Sequence, residues 1–329
     1  MRVSQPCSYD KISLIIPVYN ISNYLDDMLQ SIEAQTYKNL EVILIDDGSI
    51  DDSGIVCERW TKFDQRFYCI HTKNQGVSKA RNEGLQRSTG NYILFIDGDD
   101  TLAPNMCEIL VNRLLEDKSD VSYCGFYNVF EDHTEIIIPQ RKILSGSQIQ
   151  RELVTQVSFF TAVWNKLFRR EVLMDRSGNF IPFIPGIYVG EDALWLAKVL
   201  KNAQKISSVS QALYYWQRRT DSATQGKTQV RTDAFYLTVL DAYQQMLLEL
   251  NDPFSKKILC KKYLGICRDC MIQAYQEGNK ELSRRLRQRI QSDYKIYDHL
   301  DLFTIKLKMC TSLVSIGAPM PLLKWVNTR

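Results

Sequence analysis

Three carboxylates crowd the end of one apolar run: Tyr92-Ile93-Leu94-Phe95-Ile96 leads directly into Asp97-Gly98-Asp99-Asp100. The run is too short for a helix and rich in β-formers, which predicts a buried strand that delivers the acidic turn to its end. Carboxylates held that closely repel one another unless a cation, or a retained proton, offsets the charge. A hard divalent ion such as Mg²⁺ or Mn²⁺, itself carrying phosphate oxygens, meets that need. A plain acidic turn is the alternative, since Asp and Gly favour turns without any ligand.

Other chemistry-bearing groups sit at comparable places. One strand-like run ends in Pro17-Val18-Tyr19-Asn20 and another in Asp46-Asp47-Gly48-Ser49. Tyr19 suits stacking on a planar base, and Asp47 suits accepting a hydrogen bond from a ring N–H. Gly48 allows close backbone approach, while Ser49 or Asp51 suits capping of the next helix. Downstream, Gly76 fits a turn, and the following helix sets Ser78, Arg81 and Asn82 on neighbouring faces. Arg81 or Lys79 there either meets an anionic pocket or faces water. Glu191-Asp192 opens a helix after a Gly- and Pro-bearing loop at 177–190. Capping is the plain role for acids at a helix start; a general base delivered by the loop is the chemical one. Arg218-Arg219 either clamps phosphate or is solvated.

These groups need elements to position them, and the first 130 residues supply an alternation. Strand-like runs at 12–18, 40–45, 67–71, 92–96 and 121–127 alternate with amphipathic helical segments at 23–36, 51–63, 77–86 and 104–115. The pattern predicts βαβ units, a mainly parallel sheet flanked by helices, and ligands beyond the carboxyl ends of its strands. The alternation then fades into an excursion strand at 135–139, a helix at 147–156, an aromatic segment at 161–168, a helix at 193–200 and an extended stretch at 205–216. From 230 onward the chain reads as long helices at 233–250, 254–275 and 280–297. Between 254 and 297 there are 11 Lys or Arg against 4 Asp or Glu, a basic face for solvent, an anionic membrane or an acceptor. A stripe of Leu302, Ile305, Met309, Leu313 and Ile316 suits a membrane surface, the protein body or a second subunit.

Composition excludes several classes. A net charge of +3 over 329 residues argues against general nucleic-acid binding. Nine cysteines at irregular intervals read as reduced core thiols of a cytoplasmic protein. Cys267 and Cys270 fall in a helix interior with no second pair to complete a zinc site. The first 11 residues are polar, and no stretch reaches the roughly 18 apolar residues that span a bilayer. Gly226-Lys227-Thr228 lacks the upstream glycine of a phosphate loop, and no Gly-x-Gly-x-x-Gly follows a strand.

The ordered motifs resemble the inverting family 2 glycosyltransferases of the GT-A (Rossmann-like) fold, of the bacterial polysaccharide and glycan-assembly type. They are Ile-Ile-Pro-Val-Tyr-Asn (15–20), Ser-Ile-Glu-Ala-Gln-Thr-Tyr (31–37), Asp-Asp-Gly-Ser (46–49), Asn-Gln-Gly-Val-Ser-Lys-Ala-Arg-Asn (74–82) and Asp-Gly-Asp-Asp (97–100). Trp-Asn-Lys-Leu-Phe (164–168), Glu-Asp (191–192) and Arg-x-x-Ser (219–222) continue the series. The resemblance implies a catalytic domain over 1–225, with a nucleotide-sugar half at 11–130 and an acceptor half at 131–225, and a helical region over 226–329. It implies a nucleotide-diphosphate sugar, such as UDP-Glc, UDP-Gal or UDP-GlcNAc, with Mn²⁺ or Mg²⁺ as cofactor. The acceptor would be a lipid- or protein-linked glycan, at the cytoplasmic side of the cell membrane. Pro17, Tyr19, Asn20 and Asp47 would hold the uridine, and Asp99, with Asp97 or Asp100 as second ligand and Gly98 between them, the sugar-nucleotide and its metal. Asp192 would be the base, Glu191 its acceptor-side partner, and Arg219, Arg81 and Lys79 the cations near the diphosphate. A catalytically idle binding protein or scaffold working through its helical tail is the rival from another class.

Overall fold

The computed structural model describes residues 10–155, 159, 161–187, 189–219 and 233–297. The expected apolar stripe at 302–316 and the Thr220–Ser222 part of the arginine motif lie outside the described residues. The chain divides into two compact units, Met1–Gly186 with Glu191–Gln229, and Ile187–Gly190 with Val230–Arg329.

The first unit is a mixed α/β layer structure. In chain order its elements are β1 Ile12–Val18, α1 Ser22–Glu33, β2 Leu40–Asp46, α2 Ser53–Phe63, β3 Phe67–His71, α3 Val77–Arg87 and β4 Tyr92–Phe95. There follow β5 Thr101–Leu102, α4 Met106–Glu116, β6 Val121–Val129, β7 Thr134–Ile137, β8 Ile143–Ser145 and α5 Ser147–Thr155. The unit closes with β9 Lys166–Arg169, a 3-10 turn at Arg170–Leu173, α6 Glu191–Val199 and β10 Lys205–Gln217. The sheet order is β3-β2-β1-β4-β9-β6-β10-β5, with β7 on β6 and β8 on β10. The first four strands are mutually parallel and β6 runs parallel to β10, whereas β9 is antiparallel to both β4 and β6.

Burial explains the sequence pattern. β2 and β4 are buried at every position and β1 at all but Pro17, because helices cover both faces; such strands read as unbroken apolar runs. One core joins Leu14 and Ile16 of β1 to Leu25, Met28 and Ile32 of α1, to Leu110 and Leu114 of α4 and to Trp164. Expected helices start one or two residues early or late, and the short strands β5 and β8 carry too few residues to show a period. The aromatic segment at 161–168 becomes β9 at its end, whose insertion between β4 and β6 joins the two halves of the sheet.

The second unit contains α7 Asp233–Glu249, α8 Pro253–Gln276 and α9 Lys280–Tyr297. Asp252 caps α8 by accepting from the Ser255 N–H at 2.9 Å, with proline at the first helical position where its missing donor costs nothing. Arg289 of α9 donates to Asp241 and Gln244 of α7, at 2.7 and 2.9 Å, and to the Tyr263 hydroxyl of α8 at 2.7 Å. Cys267 is buried on α8, so its spacing to Cys270 follows helix packing. No helix of the described residues is long and apolar enough to cross a membrane.

Candidate active site

The carboxyl ends of β1, β2 and β4 form one edge, and the turns there are built to fit each other. Asn20 adopts a left-handed φ of 52°; its N–H donates to Ser49 Oγ, and its side-chain oxygen accepts from the Ile50 N–H. Asp51 accepts from both the Ser22 and Ser53 N–H groups, so one carboxylate serves the starts of α1 and α2. Gly48 has φ 74°, and a Cβ there would lie 2.8 Å from the Asn74 nitrogen. At Gly98 a Cβ would press on the end of the Ile21 side chain, so the acidic turn packs closely against the start of α1. Tyr19 projects from this edge and is about half exposed, beside Pro17.

Asp47 is buried, and its carboxylate is already engaged. It accepts from the Thr72 hydroxyl at 3.1 Å, the Gln75 N–H at 3.0 Å and the Gly76 N–H at 2.7 Å. It therefore shapes the 72–76 loop that leads into α3.

Arg81 on α3 is the charged centre of the edge. It is 3% exposed, and its guanidinium donates to Asp192 at 2.6 Å and to Asp97 at 3.0 Å, with Glu191 at 3.7 Å. Its plane also lies over the Phe183 ring, 5.3 Å from the centroid. The neighbouring residue of α3 completes the arrangement: Asn82 donates to the Phe183 carbonyl at 2.9 Å and accepts from the Phe183 N–H at 2.8 Å. Phe183 in turn stacks on Trp195 of α6, and the Trp195 indole donates to the Ile181 carbonyl. The loop that delivers Glu191 and Asp192 is thus pinned by the same helix that binds their charge. Lys79, on that helix, is exposed.

The three carboxylates of the acidic turn have different surroundings. Asp100 is 1% exposed; one oxygen accepts from the Tyr214 hydroxyl at 2.7 Å and the other from the Gln217 N–H at 2.8 Å. Asp99 pairs with Arg219 at 2.5 Å, and Arg219 lies over the Tyr24 ring. This pair borders a cleft of about 600 Å³ whose lining includes Tyr24, Asp27, Thr101 and Gln217. Asp97 is partly exposed and held by Arg81. Burial and the adjacent Asp97 raise the Asp99 carboxyl above its usual range, although Arg219 pulls the other way. Burial with Asp99 and Asp97 nearby pushes Asp100 higher still.

Burial also raises Asp192 in spite of Arg81, and pushes Glu191 up to about 7 with Asp192 as the second cause. Asp192 accepts from the Val163 N–H as well. That segment is held by Lys166, fully buried, whose ammonium donates to the Phe159 and Ala162 carbonyls and to Asn165 Oδ1 at 2.6 to 2.7 Å. Burial brings the Lys166 amine down to about 7. Sequence reasoning set Asn82 beside Arg81 on the helix and Lys166 inside the 164–168 motif without giving either a role, and did not single out Tyr214; for Lys166 the available signal was a lysine inside Val163-Trp164-Asn165-Lys166-Leu167-Phe168, since a charge in an apolar run must be paired.

The profile of glycosyl transferase family 2 matches residues 13–176. The uncharacterized glycosyltransferase YibD of Escherichia coli K12 is 30% identical over 263 residues, 77% of this chain and 74% of YibD. The chain belongs to glycosyl transferase family 2. The uncharacterized glycosyltransferase EpsJ of Bacillus subtilis 168 is 31% identical over 219 residues, which span 65% of this chain and 63% of EpsJ. Among solved structures, S. aureus TarS 1–349 in complex with UDP-GlcNAc superposes with a TM-score of 0.76 at 20% identity, covering 97% of this chain and 90% of that one. The family 2 chain therefore has the GT-A fold, with a helical C-terminal region.

Proposed function

We propose that this family 2 protein is an inverting glycosyltransferase that moves the sugar of a UDP-sugar onto a hydroxyl of a glycan acceptor. The observation that carries the reading is Arg81: one buried guanidinium joins Asp192, at the start of α6, to Asp97, at the end of β4. A carboxylate suited to proton removal is thereby fixed against the carboxylates suited to the donor. The UDP-GlcNAc named for the TarS complex supports a UDP-sugar at the level of fold.

In this assignment Pro17, Tyr19 and Asn20 flank the uridine, with Tyr19 stacking on its ring, and Asp47 acts on the same side through the 72–76 loop. Gly98, packed on Ile21, holds the acidic turn that would face the sugar-nucleotide. Arg219 faces the diphosphate from the cleft beside Asp99. Asp97 and Asp99 fit a divalent ion, Mn²⁺ or Mg²⁺, because two neighbouring carboxylates at the end of one strand repel each other and a hard cation between them offsets that charge. Asp100 is assigned a structural role, both its oxygens being engaged. When bound, the ion stabilises negative charge on the departing diphosphate.

Asp192 takes the proton of the acceptor hydroxyl as that oxygen attacks the anomeric carbon from the face opposite the diphosphate. Its raised carboxyl makes it a stronger base than an ordinary aspartate, and Arg81 with the Val163 N–H fixes its direction. Glu191, one residue away, sits on the acceptor side of the pair.

The test is release of UDP and transfer from a panel of UDP-sugars with Mn²⁺. Asp192→Asn should lower turnover by about 10²–10⁴-fold while UDP still binds, because only proton transfer is removed. Asp99→Ala should abolish both turnover and metal-enhanced UDP binding. Neither hydrolysis nor transfer with any donor, together with no UDP binding by calorimetry, would refute the proposal.

A further inference from the structure

A second cluster of chemistry-bearing side chains lies outside the residues used above, between α2 and the edge strand β3. His71 ends β3, with Cys69 two residues before it on the same face. Glu58 comes from α2, and Asp46 from the end of β2, paired with His71 in the sheet register. His71 Nδ1 lies 2.7 Å from Asp46 Oδ2. His71 Nε2 lies 3.0 Å from Glu58 Oε1 and 3.6 Å from Cys69 Sγ. The three donor atoms of Glu58, Cys69 and His71 all fall within 4.8 Å of one another, and no other such group of three occurs among the described residues.

From this geometry we infer that Glu58, Cys69 and His71 form a transition-metal site, with Zn²⁺ as the fitting ion and water as fourth ligand. Tetrahedral zinc with bonds of about 2.0–2.3 Å sets its ligand atoms about 3.3 Å apart for nitrogen and oxygen, and about 3.6 Å for nitrogen and sulfur. The N···S separation already has that value, and the N···O separation is a few tenths of an ångström short of it. Asp46 does what outer carboxylates do at such centres, fixing the imidazole through Nδ1 so that Nε2 faces the other donors. A single proton on Nε2 has to be shared between the Glu58 carboxylate and the Cys69 sulfur; a dication in its place serves the imidazole, the carboxylate and the thiolate together.

Access and selectivity agree. The side chains of His71 and Glu58 are 46% and 49% exposed, which leaves a path for the ion and room for water. A sulfur, nitrogen and oxygen set suits zinc over Mg²⁺ or Mn²⁺, which favour oxygen alone, so this centre differs in kind from the Asp97 and Asp99 pair. Loading it would tie α2 to β3. It would also fix Asp46, whose other oxygen accepts from the Ser49 N–H in the turn after β2.

The experiment strips the full chain with a chelator and titrates it with Co²⁺ as the spectroscopic substitute for Zn²⁺. One equivalent should bind with a thiolate-to-cobalt charge-transfer band and the intense visible absorption of a tetrahedral ion, and Zn²⁺ should displace it. Cys69→Ser and His71→Gln should lose the band, Cys270→Ser should keep it, and Asp46→Asn should weaken binding about 10–100-fold. Circular dichroism confirms that each variant folds; if Cys69→Ser does not, His71→Gln and Glu58→Gln decide by the same readout. No thiolate band in the wild type, or a band that survives Cys69→Ser or His71→Gln, overturns the site and leaves an ion-pair cluster only. Because Co²⁺ on Asp97 and Asp99 gives no thiolate band, the result is independent of the glycosyltransferase reading.

Discussion

Replacing Arg81 with methionine separates the charge at the centre of the edge from its packing. Methionine keeps an apolar stem near Phe183 but takes the guanidinium from Asp192, Asp97 and Glu191, at 2.6, 3.0 and 3.7 Å from it, and leaves Asp192 the Lys166 amine as its nearby cation. Removing one partner of a buried pair costs about 3–5 kcal/mol. With a urea slope of about 2–3 kcal/mol/M, the midpoint should fall by about 1–2.5 M at pH 8. The pH dependence has a determinate sign. Burial already holds Asp192 above its ordinary range and puts Glu191 at about 7, and loss of Arg81 raises both further. An acid whose folded value is raised stays neutral below that value, so the penalty for charge burial grows as pH rises through it. The difference between wild type and Arg81→Met should therefore be smaller at pH 5, where Glu191 is neutral, than at pH 8, where it is charged. Urea unfolding at pH 5, 6, 7 and 8 measures it, with Arg81→Lys as the variant that keeps charge and loses the fork. A loss under about 1 kcal/mol at pH 8, or equal losses at both ends, would refute the assignment of Arg81 as counter-charge to all three acids.

Three further outcomes follow from the same edge. Asp100→Ala should cost about 1–3 kcal/mol by leaving the Tyr214 O–H and the Gln217 N–H without their acceptor, measured as a drop in unfolding midpoint, while metal-dependent UDP binding persists. Glu191 titrates from about 4.5 unfolded to about 7 folded, so wild-type stability should fall as pH climbs through that window, by at most about 3 kcal/mol, and Glu191→Gln should flatten the fall. Gly98→Ala should destabilise through the 2.4 Å approach to Ile21 Cδ1, and adding Ile21→Ala should restore part of the loss in a double-mutant cycle.

The sheet was legible where strands are buried on both faces, because the apolar runs of Ile12–Val18 and Leu40–Asp46 are bounded by polar or turn residues on each side. It was less legible where pairing is decided by distant chain: β9 reads as an aromatic segment, and its place between β4 and β6 depends on partners the local sequence does not name. Site chemistry divides the same way. The acidic turn announces itself by composition, yet what distinguishes Asp100 from Asp97 is a hydroxyl more than a hundred residues away. Asp47 shows the same limit, since the donors that fill its carboxylate are backbone N–H groups in a loop about thirty residues on. Arg81 looked as much like a solvated helix face as a buried one, because helical spacing gives the face and says nothing about what packs on it.

The position of β9 also governs the order in which the chain can assemble. β4 ends at Phe95 and β6 at Val129, but the strand that lies between them begins at Lys166. At ribosomal rates of about 5–20 residues per second, roughly 70 residues and about 4–14 s separate the emergence of β4 from that of its neighbour. During that interval β4 presents an open edge of apolar strand, the kind of surface that pairs with other chains. A nascent chain halted after Val129 would carry every strand of the donor half and still expose that edge, which makes this stretch of synthesis the one where a chaperone has most to protect.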